Sequence, residues 1–289
     1  MNYRLILFSV ALLFLPPLAL TLAGQEWEAP LPVAGDVWLP ALLGMLAVSA
    51  FGLLLDMLTF RRGAHSLLRS QRNYLLWSGV AGLLATMLLA YLNLFADAWV
   101  TPASNAAALL LAALAGMVLL PAVLITRMWL AGLVKLNTRR FALPALPAEP
   151  AAKSLLLAAL IGLLVGTLHI EHLGWLFWLS PLLLLVSLQL LWNESTVFSG
   201  LPQGDWSRLL LGALSGILVC GIALASYRLG GGTIYLAAAT WQILVGFALF
   251  GLLCLQVGDI VAEHWRGKPR GEVFKKKAFP IPIVTKKDQ

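Results

Sequence analysis

Charge is scarce in this chain. Asp, Glu, Lys and Arg together make up 11% of its 289 residues, whereas 60% are hydrophobic and the mean hydropathy is +0.88. Soluble domains carry about a quarter charged and about half apolar residues, so this composition excludes a soluble globular enzyme. Cysteine is scarcer still: Cys220 and Cys254 are the only two, and neither sits in a CxxC or beside a histidine at ligand spacing. Both read as buried small hydrophobes, not as redox or metal-binding thiols. The sequence also lacks a GxSxG elbow, a GxxxxGK[ST] phosphate loop and an HExxH pair, which removes the commonest hydrolase, nucleotide-driven and zinc-protease readings.

What the chain has in abundance is apolar runs of membrane-spanning length, since about twenty residues of helix cross the hydrocarbon core. Reading these runs between charged or Pro/Gly-rich breaks gives eight candidate helices: 5–23, 38–60, 74–96, 104–126, 154–172, 174–192, 209–228 and 233–257. The expected fold is therefore all-α, a polytopic membrane bundle of eight spans over residues 1–257 with a basic tail at 258–289. The first span also has the form of a secretory signal, with Arg4 before an apolar run and a small residue at Ala23. Because the run continues past Pro16 and Pro17 to full span length, it is read as retained.

Eight spans put both termini on one side. Taking that side as cytoplasmic collects nineteen of the twenty Lys and Arg residues there, leaving Arg228 alone outside. The opposite loops carry Glu26, Glu28, Asp36, Asp97 and Glu171. This asymmetry is the one that membrane insertion favours, and it gives the expected location as a bacterial-type inner membrane. The net charge of +7 is thus spent on membrane flanks facing anionic head groups, and no nucleic-acid partner is expected. Lys275, Lys276 and Lys277, followed by Pro280 and Pro282, form an extended solvated tail whose alternative use is docking a cytoplasmic partner.

Two Gly-xxx-Gly pairs, Gly162 with Gly166 and Gly212 with Gly216, predict close packing of the fifth and seventh spans. Pro121 and Pro181 should kink or locally end the fourth and sixth. The recurring LLLxALxG string at Leu109, Leu155 and Leu209 reflects Leu, Ala and Gly dominating every span, and no internal repeat is inferred.

Polar residues within the spans are few: Asp56, Thr86, Asn93, Gln189, Gln242 and Gln256. No carboxylate or histidine falls at mid-membrane, where an ion-coupled transporter would need one. Asp56 is expected to pair with Arg61 or Arg62 at the interface. The densest constellation is His169, Glu171, His172 and Trp175, at the outer mouth of a tight hairpin. On one helix, His169 and His172 would share a face and, with Glu171 and Asp97, could release the proton of a quinol head group. The same residues are also explained as polar helix ends beside an aromatic belt of Trp175 and Trp178. A third strong ligand is missing, so no metal is expected there. The two histidine pairs lie on opposite sides of the membrane, and no haem or other cofactor is expected. A second candidate is the inner loop from Asn193 to Arg208, where Glu194, Asp205 and Arg208 would meet a divalent metal and a phosphorylated lipid. Turn and cap chemistry by Asp205 or Ser207 accounts for the same loop.

The segment Leu55-Asp56-Met57-Leu58-Thr59-Phe60-Arg61-Arg62-Gly63-Ala64-His65-Ser66-Leu67-Leu68-Arg69, followed by Trp77-Ser78-Gly79, resembles a loop of Gly, Arg, an aromatic and Leu before a Ser/Trp-rich helix start. With eight spans and no haem ligands, it is similar to the quinol-interacting membrane anchor subunits of the polysulfide and dimethyl-sulfoxide reductase type. That resemblance implies a subunit with protein partners and a quinone, embedded among membrane lipids. The leading expectation is accordingly an anchoring subunit without catalysis of its own and with a quinone or lipid cleft. The alternatives are a transporter or flippase for an apolar or lipid-linked substrate, and a lipid-modifying enzyme at the Glu194 to Arg208 loop.

Overall fold

The computed structural model describes residues 37–63, 66–133, 147–192 and 194–266. Within them lie eight α-helices: α1 (Trp38–Arg61), α2 (Leu67–Ser70), α3 (Arg72–Ala96), α4 (Asn105–Leu133), α5 (Ala148–Leu168), α6 (Ile170–Leu191), α7 (Ser207–Leu229) and α8 (Thr240–Arg266). Seven of them, all but α2, are long and apolar enough to span a membrane. The chain is an integral membrane protein by that measure. The expected span at 5–23, His65 and the tail beyond Arg266 lie outside the described residues.

The spans are apolar around their whole circumference, so packing alone decides which side faces inward. Leu46, Leu76, Leu84 and Leu164 point outward, whereas Val48, Phe51, Leu55, Leu120, Val123, Val186, Val219 and Leu255 form the core. An outward surface of that composition would aggregate in water and is matched by lipid. Helices α1, α4, α7 and α8 make the centre, α3 packs on α4 and α8, and the α5–α6 hairpin joins the bundle chiefly through α6 against α8.

Small residues set the closest approaches. A Cβ on Gly216 would come within 2.6 Å of the Gly251 backbone on α8, and one on Gly82 within 2.8 Å of Leu120 on α4. Gly162 and Gly166 face Leu176, Phe177 and Ser180 of α6. Both predicted glycine pairs therefore lie at helix interfaces, where backbone contact replaces the hydrophobic drive that lipid cannot supply. Helices α4 and α6 run on through Pro121 and Pro181 instead of ending there.

Contacts define two ends of the bundle. At one, the two-residue strands β1 (Trp99–Val100) and β2 (Tyr235–Leu236) pair antiparallel and tie the α3–α4 loop to the α7–α8 loop. At the other end lie Arg61, Arg62, Arg69, Arg72, Arg127 and Arg208. Several helix limits differ from the sequence reading by four residues or more, and the junction of the fifth and sixth spans lies at His169 and not at 173. Helix α4 continues to Leu133, α5 starts at Ala148, and α8 starts at Thr240 and continues to Arg266, so residues 258–266 belong to the bundle and not to the tail. Charged residues read as a boundary there, but on α8 Asp259 and Glu263 are buried, and Asp259 forms an ion pair with Arg208.

Candidate functional site: a polar seam at the arginine-rich end

The inward face of α8 near its C-terminal end carries Gln256, Asp259 and Glu263, all buried. Spacings of three and four residues stack them on one side of the helix. Asp259 forms an ion pair with Arg208 in the first turn of α7. Gln256 donates from Nε2 to Gln189 Oε1 on α6, while its own Oε1 accepts the Val197 N–H at 2.9 Å. Tyr74 of α3 donates its hydroxyl to the Gly258 carbonyl at 3.2 Å. Polar groups from α3, α6, α7, α8 and the α6–α7 loop thus converge on one seam. Burial in low dielectric makes each of these pairings costly to break.

Asp56, on α1, forms no ion pair with Arg61 or Arg62. Its carboxylate accepts from the Ser66 hydroxyl and from the Leu67 and Leu68 backbone N–H groups at 3.0 and 3.5 Å, holding the start of α2. Arg62 instead lies over the Trp129 ring, 5.6 Å from its centroid. Interfacial charge here organises a turn of chain, the commoner use of a carboxylate facing free N–H groups.

The inner-loop candidates separate. Asp205 is exposed and accepts from the Ser207 hydroxyl and, at 3.0 Å, the Ser207 backbone N–H, so it caps the start of α7. The Ser207 hydroxyl holds the Asp205 carboxyl below the usual carboxylate range, helped by the Ser207 N–H, Arg127 and Arg208 and opposed by slight burial. Arg208 turns to Asp259, and the Glu194 backbone N–H donates to the Gln189 carbonyl at 2.8 Å. Among the described residues, no three His, Cys, Asp or Glu side chains converge as a metal site would require.

At the opposite end, His169, Glu171, His172 and Trp175 are all exposed. His169 is the junction residue between α5 and α6, with φ −130° and ψ 55°, so it does not share a helical face with His172. Its carbonyl accepts the N–H groups of His172 at 3.2 Å and Leu173 at 3.0 Å. The helix breaks here because the chain must reverse within one residue, and the polar backbone of that residue caps α6. Trp178 packs against Trp99 with ring centroids 5.3 Å apart, joining this hairpin to the strand pair.

The seam went unread in sequence because α8 was ended at residue 257. The signal was present: Gln256, Asp259 and Glu263 repeat at helical spacing, which a solvated tail has no reason to keep. Comparison with protein-family models, with curated proteins and with solved structures found no match.

Proposed function

We propose that this chain is a membrane-embedded anchoring subunit of a larger complex, with its arginine-rich end in the cytoplasm. The observation that carries this reading is how the polar groups of the spans are used. Thr86 donates to the Gly82 and Ala112 carbonyls at 2.9 and 2.7 Å, and Thr126, Ser180 and Ser215 donate to carbonyls of their own helices. Gln189, Gln256, Arg208 and Asp259 are engaged across helices. Most of these groups hold the bundle together, although the buried Gln189 Nε2 and Trp129 Nε1 have no hydrogen-bond partner among the described residues, and what lies on the outside is largely apolar surface suited to lipid and to other transmembrane helices.

Helix α5 is the favoured contact element. Only 22% of its central stretch is buried, against 39 to 50% for the other spans, and Leu157, Leu160 and Leu164 face outward. A photo-crosslinker placed at Leu157 or Leu164 in the native membrane tests this. One discrete protein adduct supports an anchoring subunit, and adducts to lipid alone contradict it.

The resemblance to quinol-interacting anchors supplies the class of small molecule, with exposed His169, Glu171 and His172 as the candidate head-group site. A transporter or flippase for an apolar or lipid-linked substrate is the second reading. It is favoured by the α5–α6 hairpin joining the bundle chiefly through α6, which leaves α5 beside a surface where an apolar substrate could pass.

A further inference from the structure

The corner where α2 meets α3 forms an open cavity of about 500 Å³ lined by Arg69, Ser70, Gln71, Arg72, Asn73, Tyr74 and, from α8, Ala262. Its shape follows from local chain geometry. Gln71, at φ −137° and ψ 47°, breaks the helix between Ser70 and Arg72, and Tyr74 is tied to α8 by its bond to the Gly258 carbonyl. Among the described residues, no carboxylate lines it.

Its two cations are held in place by contacts that leave their charge without an acidic partner among the described residues. The Arg69 guanidinium lies over the Phe60 ring, 4.0 Å from the centroid, and Arg72 donates from Nε to the Leu68 carbonyl at 3.3 Å. Neither has a salt bridge among the described residues, whereas Lys153 and Arg208 are paired with Glu149 and Asp259. Stacking on an aromatic face and a single Nε contact leave guanidinium N–H groups to donate, in the planar geometry that suits phosphate oxygens.

Apolar surface begins at once beside these cations. Leu68 on α2, and Leu76 and Trp77 on α3, are exposed at 40, 70 and 52%. Two arginines without an ion pair among the described residues therefore sit in α2 and at the start of α3, at the arginine-rich end of the spans where lipid phosphates would lie, directly against surface that acyl chains cover.

We propose that this corner is a binding site for the phosphate head group of an anionic bilayer phospholipid, gripped by Arg69 and Arg72, with its chains lying along Leu68, Leu76 and Trp77. The site does not depend on an anchoring role.

The test is lipid retention by the full-length protein in nanodiscs and by native mass spectrometry, with phosphatidylglycerol or phosphatidylcholine supplied. Wild-type protein should retain phosphatidylglycerol in preference to phosphatidylcholine. R69Q/R72Q should weaken that retention about thirtyfold, as expected for losing two cationic contacts at a membrane surface. R69K/R72K should restore part of it. R61Q removes an exposed arginine outside the cavity and should leave retention unchanged. Equal retention of the two lipids, an equal loss in R61Q, or no loss in R69Q/R72Q would overturn the site. Full displacement of the lipid by millimolar inorganic phosphate would assign the cavity to a free anion instead and would equally overturn it.

Discussion

Arg208 and Asp259 join the first turn of α7 to the end of α8 in a largely buried setting, where losing one partner strands the charge of the other. Arg208→Gln should therefore destabilise the bundle by about 3–5 kcal/mol, whereas replacing both partners by apolar residues of similar volume should recover most of that loss. Thermal unfolding of the detergent-solubilised protein reads both changes. Asp205 makes a smaller contribution with a definite pH dependence. Its carboxyl is held below the usual range in the folded chain, so its cap is complete above the ordinary aspartate value of about 4 and is lost as pH falls through the lower folded value. Asp205→Asn should remove that acid limb from the stability profile and leave the profile near neutrality nearly flat. At the other end, changing His169, Glu171 and His172 together to Gln tests the head-group reading. If the three relay a quinol proton, turnover of the assembled complex should fall by the order of a hundredfold with protein level in the membrane unchanged. Unaltered turnover would leave them as exposed helix ends.

Helix pairs in this protein approach through glycine, and the strength of that dependence can be measured element by element. Gly216→Val on α7 should cost about 1–3 kcal/mol by forcing the added side chain into the Gly251 backbone. Gly246→Ala on α8 meets nothing within 4 Å and should be neutral or slightly stabilising. Equal melting temperatures for the two variants would refute glycine-mediated packing of α7 on α8. The glycine pairs were legible in sequence because close approach needs small residues at four-residue spacing and little else. The spans themselves were legible because lipid imposes a length, as α1, α3 and α7 illustrate to within about two residues. The ends of α4, α5 and α8 were not. Helix α4 continues past the single charge of Arg127 into further apolar residues, and α5 and α8 extend through polar ones; hydropathy cannot distinguish a charge that is solvated from one paired with a neighbouring helix. Asp259 is the clearest example, since its burial depends on Arg208, fifty-one positions earlier in the chain. Asp56 and His169 failed for a related reason: local spacing suggested pairing with adjacent arginines and a shared helical face, but both residues serve to cap chain reversals.

The whole molecule is polarised. One end is tied by a two-residue strand pair and a tryptophan contact, and the other gathers Arg61, Arg62, Arg69, Arg72, Arg127 and Arg208, the buried polar seam and the cavity beside α2. If the arginine-rich end is cytoplasmic, a cysteine at Ser70 should react with an impermeant thiol reagent only from the cytoplasm and one at Glu171 only from outside. Labelling of both from the same side would refute the alternation of the spans. The central claim is that this polarised bundle exists to hold a partner in the membrane. Native mass measurement of the protein extracted with its surrounding lipid tests it most directly. An anchoring subunit predicts a single discrete mass above the 31.2 kDa chain, composed of the chain and a different protein in fixed ratio. A mass equal to the chain alone, or to a whole-number multiple of it with lipid, would contradict that claim.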